Sequence, residues 1–231
     1  MLRRWEDLPD FMRVSEVLPY WEILDKKRNQ VVIKRVFDCA LSLILLIILA
    51  IPMMIIAVLI KTDSKGPVFY RQERITAYGK HFYIHKFRTM IMNADQIGAQ
   101  VTAGKDPRIT RIGKKLRGVR LDELPQLLDV IQGNMSFVGT RPEAVKYTQK
   151  YKPEYYATLL MPAGITSEAS IRYKDEAKLL DTANDVEKTY IEEVLPEKMK
   201  WNLQSIMSFS LFYELKTLFR TVLAVLGKEY N

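Results

Sequence analysis

The stretch Cys39-Ala40-Leu41-Ser42-Leu43-Ile44-Leu45-Leu46-Ile47-Ile48-Leu49-Ala50-Ile51-Pro52-Met53-Met54-Ile55-Ile56-Ala57-Val58-Leu59-Ile60 runs for 22 residues without a charged side chain, bounded by Asp38 and Lys61. As one straight helix it is about 33 Å long, enough to cross the hydrocarbon core of a bilayer. Pro52 interrupts it. Proline removes one backbone hydrogen bond and crowds the carbonyl four residues earlier, so the sequence predicts a kink between Ile48 and Pro52. A bent helix of this length can fail to reach the far leaflet. Its flanks are balanced: Lys26, Lys27, Arg28, Lys34 and Arg35 precede the run, and Lys61, Lys65, Arg71, Arg74 and Lys80 follow it. A spanning helix ordinarily has its excess of Lys and Arg on one side, whereas equal flanks suit a segment that enters and leaves through the cytoplasmic leaflet. Three readings stay open on these residues: a kinked span, since proline is tolerated in spanning helices, a re-entrant hairpin, and a buried core helix. Either membrane reading leaves the main mass of the chain, beyond the run, on the cytoplasmic side.

Around this run the chain has 231 residues and a formal net charge of +8, which leaves room for one ordinary domain, or a modest domain plus an anchor. The positive balance favours an anionic partner: nucleic acid, an anionic leaflet or a phosphorylated substrate. Cys39 is the single cysteine, so neither a disulfide framework nor a cysteine-based zinc site is available within one chain. Acidic Glu6 and Asp7 stand where a secretory signal needs its apolar stretch, so no cleaved signal peptide is expected.

Residues 1–35 mix both signs of charge with Trp5, Phe11, Tyr20 and Trp21, which suits an amphipathic or flexible arm. Beyond the apolar run, residues 66–72 and 81–88 read as two strands joined by a turn at Tyr78-Gly79, hence a β-hairpin. Residues 92–106 read as a loop over a substrate. Helices are expected over Thr110–Leu116 and Asp122–Ile131, the second ended by Gly133-Asn134. Tyr147, Tyr151, Tyr155 and Tyr156 form either a core stripe or an interfacial aromatic belt. Apolar positions from Lys198 to Leu226 follow an amphipathic helix pattern. The fold class is therefore α+β: an arm over 1–35, a membrane helix over 36–60 kinked at Pro52, and a small cytoplasmic domain over 61–231, in which helices accompany a β-hairpin and amphipathic helices close the chain.

Chemistry concentrates between Asp106 and Pro142, where Asp106-Pro107-Arg108, Leu116-Arg117, Leu121-Asp122-Glu123-Leu124-Pro125-Gln126 and Gly139-Thr140-Arg141-Pro142 set adjacent carboxylates among arginines. An ordinary aspartate is ionised at neutral pH, so Asp122 is a potential nucleophile without an activating base. A diphosphate becomes its electrophile only when guanidinium forks, and usually a divalent cation, screen the phosphate charge. Helix capping is the competing reading of Asp122-Glu123, because acids favour the positive end of a helix. His81 and His85 lack a third ligand candidate nearby and are expected as surface or hydrogen-bonded residues.

These residues resemble the bacterial sugar transferases, the monotopic polyprenyl-phosphate phosphoglycosyl transferases, from Lys34 onward. The matching elements are Lys34-Arg35 with Asp38, Pro52, Gly66-Pro67-Val68 with Gln72 and Arg74, Lys86-Phe87-Arg88-Thr89-Met90, Asp106-Pro107-Arg108-Ile109-Thr110, Leu121-Asp122-Glu123-Leu124-Pro125-Gln126, and Gly139 with Arg141-Pro142. The resemblance implies a re-entrant hairpin broken at Pro52 and a ping-pong transfer of a sugar 1-phosphate from a UDP-sugar to polyprenyl (undecaprenyl) phosphate, opening a surface glycan or exopolysaccharide pathway at the cytoplasmic face of the bacterial inner membrane. Asp122 would be the nucleophile and a ligand of Mg²⁺, and Glu123 a base or orienting group. Arg117, Arg141, Lys86 and Arg88 would contact phosphate. Several positions depart from the family's habit: Arg120 replaces a serine, Thr140 a proline, Asn134 an aspartate and Thr76 a glycine, and Ser167-Glu168-Ala169 departs after the family-like Pro162-Ala163-Gly164-Ile165-Thr166. The partners implied are UDP-sugar, polyprenyl phosphate and membrane lipid, without nucleic acid. A catalytically silent membrane scaffold of the same fold and a membrane-tethered nucleic-acid-binding protein are the competing functions.

Overall fold

The computed structural model describes residues 2–94, 106–173 and 185–225. Most of the loop expected over 92–106 lies outside them. One helix dominates: α2, Arg28–Asp63, follows the short α1, Leu18–Lys26, and stays helical through Pro52. Its apolar residues divide by face. Ile44, Ile47, Ile48, Ile51, Met54, Ile55 and Val58 are exposed, whereas Leu41, Leu45, Leu49, Met53, Ile56 and Ile60 pack on the body, as helical three- and four-residue spacing requires.

Both ends of α2 are tied to that one body. Near the start, Arg35 donates from Nη1 to the Val130 carbonyl at 2.7 Å and from Nη2 to that of Ile131 at 3.1 Å. Ser42 Oγ donates to the Leu127 carbonyl at 2.7 Å. All three carbonyls belong to α4, Gln126–Ile131; those of Val130 and Ile131 lie in its last turn, which has no intrahelical donors for them. At the far end, Asp63 accepts from the Ile112 amide at 2.9 Å, in the first turn of α3, Arg111–Gly118, where an anion meets the positive helix end.

The expected hairpin forms from antiparallel β1, Phe69–Ile75, and β2, His81–Phe87, in the register Phe69 to Phe87 and Ile75 to His81. A second, parallel pair joins β3, Met135–Val138, to β4, Ala163–Thr166. The two histidines of the hairpin are hydrogen-bonded, His81 to Glu73 and His85 to Asp129. Gly133, at φ +84°, supplies the left-handed residue that ends α4.

Two expected helices are broken, each for a local reason. Over 122–131 the chain forms a 3₁₀ turn, Leu121–Glu123, and then α4, because Pro125 has no N–H to continue the ladder. Over 198–226 there are two helices, Leu195–Met207 and Leu211–Val225. Ser210 Oγ accepts from the Tyr213 amide at 3.1 Å, capping a new helix start. The arm over 1–35 contributes Leu2, Leu8, Met12, Val17, Tyr20 and Leu24 to the largest core cluster, beside Tyr147, Tyr151 and Tyr155. The tyrosines are thus a core stripe.

A buried ionic cluster joins α2, β3 and the last helix. Lys34 Nζ bonds to Glu214 and lies 3.6 Å from Asp38, while Ser136 Oγ donates to Asp38 at 2.6 Å. The last helix is thereby held beside α2, with Phe212, Leu215, Phe219, Val222 and Val225 exposed. Removing one partner of a buried pair leaves an uncompensated charge, at a cost of about 3–5 kcal/mol. Lys34→Met is therefore expected to lower the melting temperature in detergent by many degrees, and an unchanged melting curve contradicts a structural role for the cluster.

Candidate active site

The turn after α3 sets the acid pair. Arg120 has φ +55°, a left-handed backbone that costs a non-glycine residue energy and concentrates at functional sites. The chain then turns through Leu121–Glu123, with both Asp122 and Glu123 buried. Strand alternation on β2 places Lys86 on the face of Phe82 and Ile84, toward this turn.

Glu123 does not cap a helix. Its Oε1 lies 3.3 Å from Lys86 Nζ, its Oε2 accepts from Arg141 Nη1 at 3.2 Å, and Arg141 Nη2 bonds to Oε1. This forked guanidinium–carboxylate pair is the stronger, directional kind of ion pair. Arg141 sits just beyond β3, which the parallel partner β4 holds at close range: a side chain on Gly139 would meet the Pro162 carbonyl at 2.8 Å. Arg117, on the last turn of α3, acts on Asp122 through its charge, and its Nη1 is buried without a hydrogen-bond partner among the described residues. Such an atom is costly to leave unmet, and a phosphate oxygen would satisfy it.

The two acids are pushed in opposite directions. Burial raises the Asp122 carboxyl above its ordinary value and the neighbouring Glu123 charge adds to this, while Lys86, Arg117 and Arg141 moderate the rise. Burial alone would raise Glu123 too, but Arg141 and Lys86 outweigh it and hold that carboxyl well below the usual range. Glu123 is therefore a weak base, and Asp122 the more basic and more nucleophilic of the two. The Lys86 ammonium is pulled down by burial to about 8, against the opposing charge of Glu123.

Four of the expected residues beyond Asp122, namely Glu123, Lys86, Arg117 and Arg141, meet around that carboxylate. Arg88 does not join them by any bond: its Nη1 and Nη2 donate to the carbonyls of Lys65 and Ser64 at 2.6 and 2.8 Å. It closes the turn after α2 rather than offering those nitrogens to a ligand. Asp106 likewise pairs with Arg108. Arg74, read from sequence as a flanking charge and as part of a family-like element but given no role at the site, lies in the electrostatic reach of Arg141 and Glu143, with burial lowering its guanidinium. Among the described residues no group of three His, Cys, Asp or Glu side chains could hold a metal. With both Glu123 oxygens engaged by Arg141 and Lys86, the Asp122 carboxylate is the one that fits Mg²⁺, which can bind through a single carboxylate plus substrate phosphates.

A family model described as bacterial sugar transferase matches residues 29–228. The exopolysaccharide production protein PSS of Rhizobium leguminosarum bv. phaseoli is 42% identical over 61% of this chain and 74% of its own. The UDP-N-acetylgalactosamine-undecaprenyl-phosphate N-acetylgalactosaminephosphotransferase of Aeromonas hydrophila is 34% identical over 84% of this chain. The UDP-glucose:undecaprenyl-phosphate glucose-1-phosphate transferase of Klebsiella pneumoniae is 35% identical over 91% of this chain. This chain spans 44% of the length of each of the last two.

Competitive labelling of the folded protein with acetic anhydride across a pH series measures each lysine's titration. Lys86 is expected to titrate near 8, as burial sets it. Glu123→Gln removes the charge that supports the ammonium and should lower the midpoint further. A midpoint near the ordinary lysine value contradicts this account of the site.

Proposed function

The chain belongs to the bacterial sugar transferase family, and we propose that it moves a sugar 1-phosphate from a UDP-sugar to polyprenyl (undecaprenyl) phosphate, releasing UMP and opening a surface glycan pathway. The observation that carries this reading is the division of labour within the acid pair. The Asp122 carboxyl is raised by burial, while Glu123 is locked by Arg141 and Lys86.

In the first half-reaction an Asp122 oxygen attacks the phosphorus that bears the sugar. A new carboxylate O–P bond forms, the bridging P–O bond breaks, and its electrons leave with UMP. In the second, an oxygen of polyprenyl phosphate attacks the same phosphorus and Asp122 departs as carboxylate. The sugar's anomeric C–O bond is untouched throughout. Arg117 and Arg141 screen the diphosphate so that an anion can approach it. Glu123 orients Arg141 and Lys86 rather than taking a proton, because its carboxyl is held too low to be an effective base. Mg²⁺, held by Asp122 with substrate oxygens, would supply further charge screening.

The same reading places α2 as a re-entrant anchor at the cytoplasmic face of the inner membrane. Two observations support it. α2 and the last helix each expose a series of large apolar side chains, more than scattered single exposed residues account for. Both helix ends are bonded to one body, whereas a span sets its ends on opposite sides of about 30 Å of hydrocarbon. In a Cys39→Ala background, single cysteines at Arg13 and Lys114 are expected to react only from the cytoplasmic side. Periplasmic reaction at Arg13 contradicts the anchor.

The function is tested by screening a panel of UDP-sugars with undecaprenyl phosphate and Mg²⁺ for UMP release. One sugar should support turnover, and Arg141→Ala should reduce kcat/KM for it about 30-fold or more, the worth of roughly 2 kcal/mol of charge-assisted phosphate binding. Turnover should fall as pH rises through about 8, when Lys86 loses its proton. Lys86→Arg, which stays charged, should move that limb upward. No UMP from any UDP-sugar, or nucleic-acid binding with steep salt dependence, would favour the silent scaffold or the nucleic-acid binder.

A further inference from the structure

Behind the site lies a second buried charge cluster that the proposed reaction does not use. The Glu143 carboxylate accepts from Tyr190 Oη at 2.9 Å to Oε1 and 2.8 Å to Oε2. Lys198 Nζ lies 3.4 Å from Glu143 Oε1 and donates to Tyr190 Oη at 3.0 Å. All three residues are buried. Burial alone would raise the Glu143 carboxyl, but Lys198, Arg74 and the Tyr190 hydroxyl hold it below its ordinary value, so it stays charged in the core. A buried carboxylate of this kind is weak evidence for stability, since an apolar replacement often serves as well.

Its place in the chain suggests another use. Glu143 is two residues from Arg141, and Pro142, with its fixed φ, stands between them. On the other side, the Glu143 carbonyl accepts from the Ile75 amide at 3.2 Å, tying the segment to the end of β1. Arg141 meets Glu123 through a side chain on a segment without regular structure, so its aim depends on what holds that segment. Tyr190 and Lys198 do so from far along the chain. Tyr190 opens a π-helical turn, Tyr190–Val194, in which the Leu195 amide bonds to the Tyr190 carbonyl. Pro196, one residue later, has no N–H for the ordinary bond to residue 192, which favours this widened turn. The helix that follows carries Lys198. The Tyr190 ring also packs on that of Tyr147, with centroids 4.7 Å apart.

We propose that Glu143, Tyr190 and Lys198 are positioning residues, a buried clamp through which the C-terminal helices hold the Arg141-Pro142-Glu143 segment and aim Arg141 at the diphosphate of the substrate. The proposal rests on the function given above. The clamp touches no substrate. Its effect passes through Arg141, and that makes it separable from ordinary core packing.

A double-mutant cycle tests it, with calorimetric binding of UDP in Mg²⁺ as the readout and a melting curve for each protein. Tyr190→Phe removes one hydroxyl and keeps the ring. It is expected to weaken UDP binding five- to tenfold when Arg141 is present and less than twofold in the Arg141→Ala background, with the two melting temperatures close together. Glu143→Gln, which keeps the side-chain volume, should give the same pattern if the tyrosine variant folds poorly. Equal losses in both backgrounds, or no loss in either, overturn the clamp. Failure of the function looks different: a wild-type protein that binds UDP and shows the coupling, yet releases no UMP from any UDP-sugar, keeps the clamp and loses the reaction.

Discussion

Two carboxylates on consecutive buried residues cannot both be charged without compensation, and the arrangement of cations around them decides what each can do. Here the compensation is unequal. Glu123 receives the forked guanidinium of Arg141 and the ammonium of Lys86, while Asp122 feels the same charges at a distance and is raised by burial. Environments that push two acids apart are how a site separates a reacting group from an orienting one. The elements near the site serve this division: β2 brings Lys86, α3 brings Arg117, and the segment after β3 brings Arg141.

The long helix α2 and the site are parts of one construction. The α4 carbonyls bound by Arg35 and Ser42 belong to the helix that directly follows the acid pair. Asp63, at the other end of α2, holds the first turn of α3, whose last turn carries Arg117. In the proposed setting the apolar face of α2 would rest in lipid, and these bonds would set the height of the site above the bilayer. That matters for an acceptor whose phosphate sits at the headgroup level and whose chain is in hydrocarbon.

The hairpin was legible because Tyr78-Gly79 separates two runs rich in aromatic and β-branched residues, and the acid pair because it lies in a motif crowded with arginines. The broken helices were misread for a common reason. An apolar period continues across Pro125 and across Ser208-Phe209-Ser210, and the period alone does not register a missing N–H or a new cap. The burial of residues 1–35 was hidden by their mixed charge: Leu2, Leu8 and Met12 join a cluster that extends to Tyr147, Tyr155 and Met199, more than a hundred residues away. Arg88 illustrates the opposite error, since its place in the Lys86-Phe87-Arg88 motif says nothing of the two carbonyls its guanidinium meets. Glu143 is written directly after Arg141-Pro142, but no local pattern couples it to Tyr190 and Lys198, which are 47 and 55 positions away.

In the proposed mechanism Asp122, not its neighbour, becomes covalently bonded to phosphorus. Intact-mass analysis of the enzyme given Mg²⁺ and its UDP-sugar without lipid acceptor measures this directly. The protein should become heavier by one sugar phosphate, with the adduct on the peptide containing Leu121-Asp122-Glu123, discharged by polyprenyl phosphate and absent in Asp122→Asn. No adduct, with UMP released only when donor and acceptor are both present, would show a single direct transfer and contradict the claim.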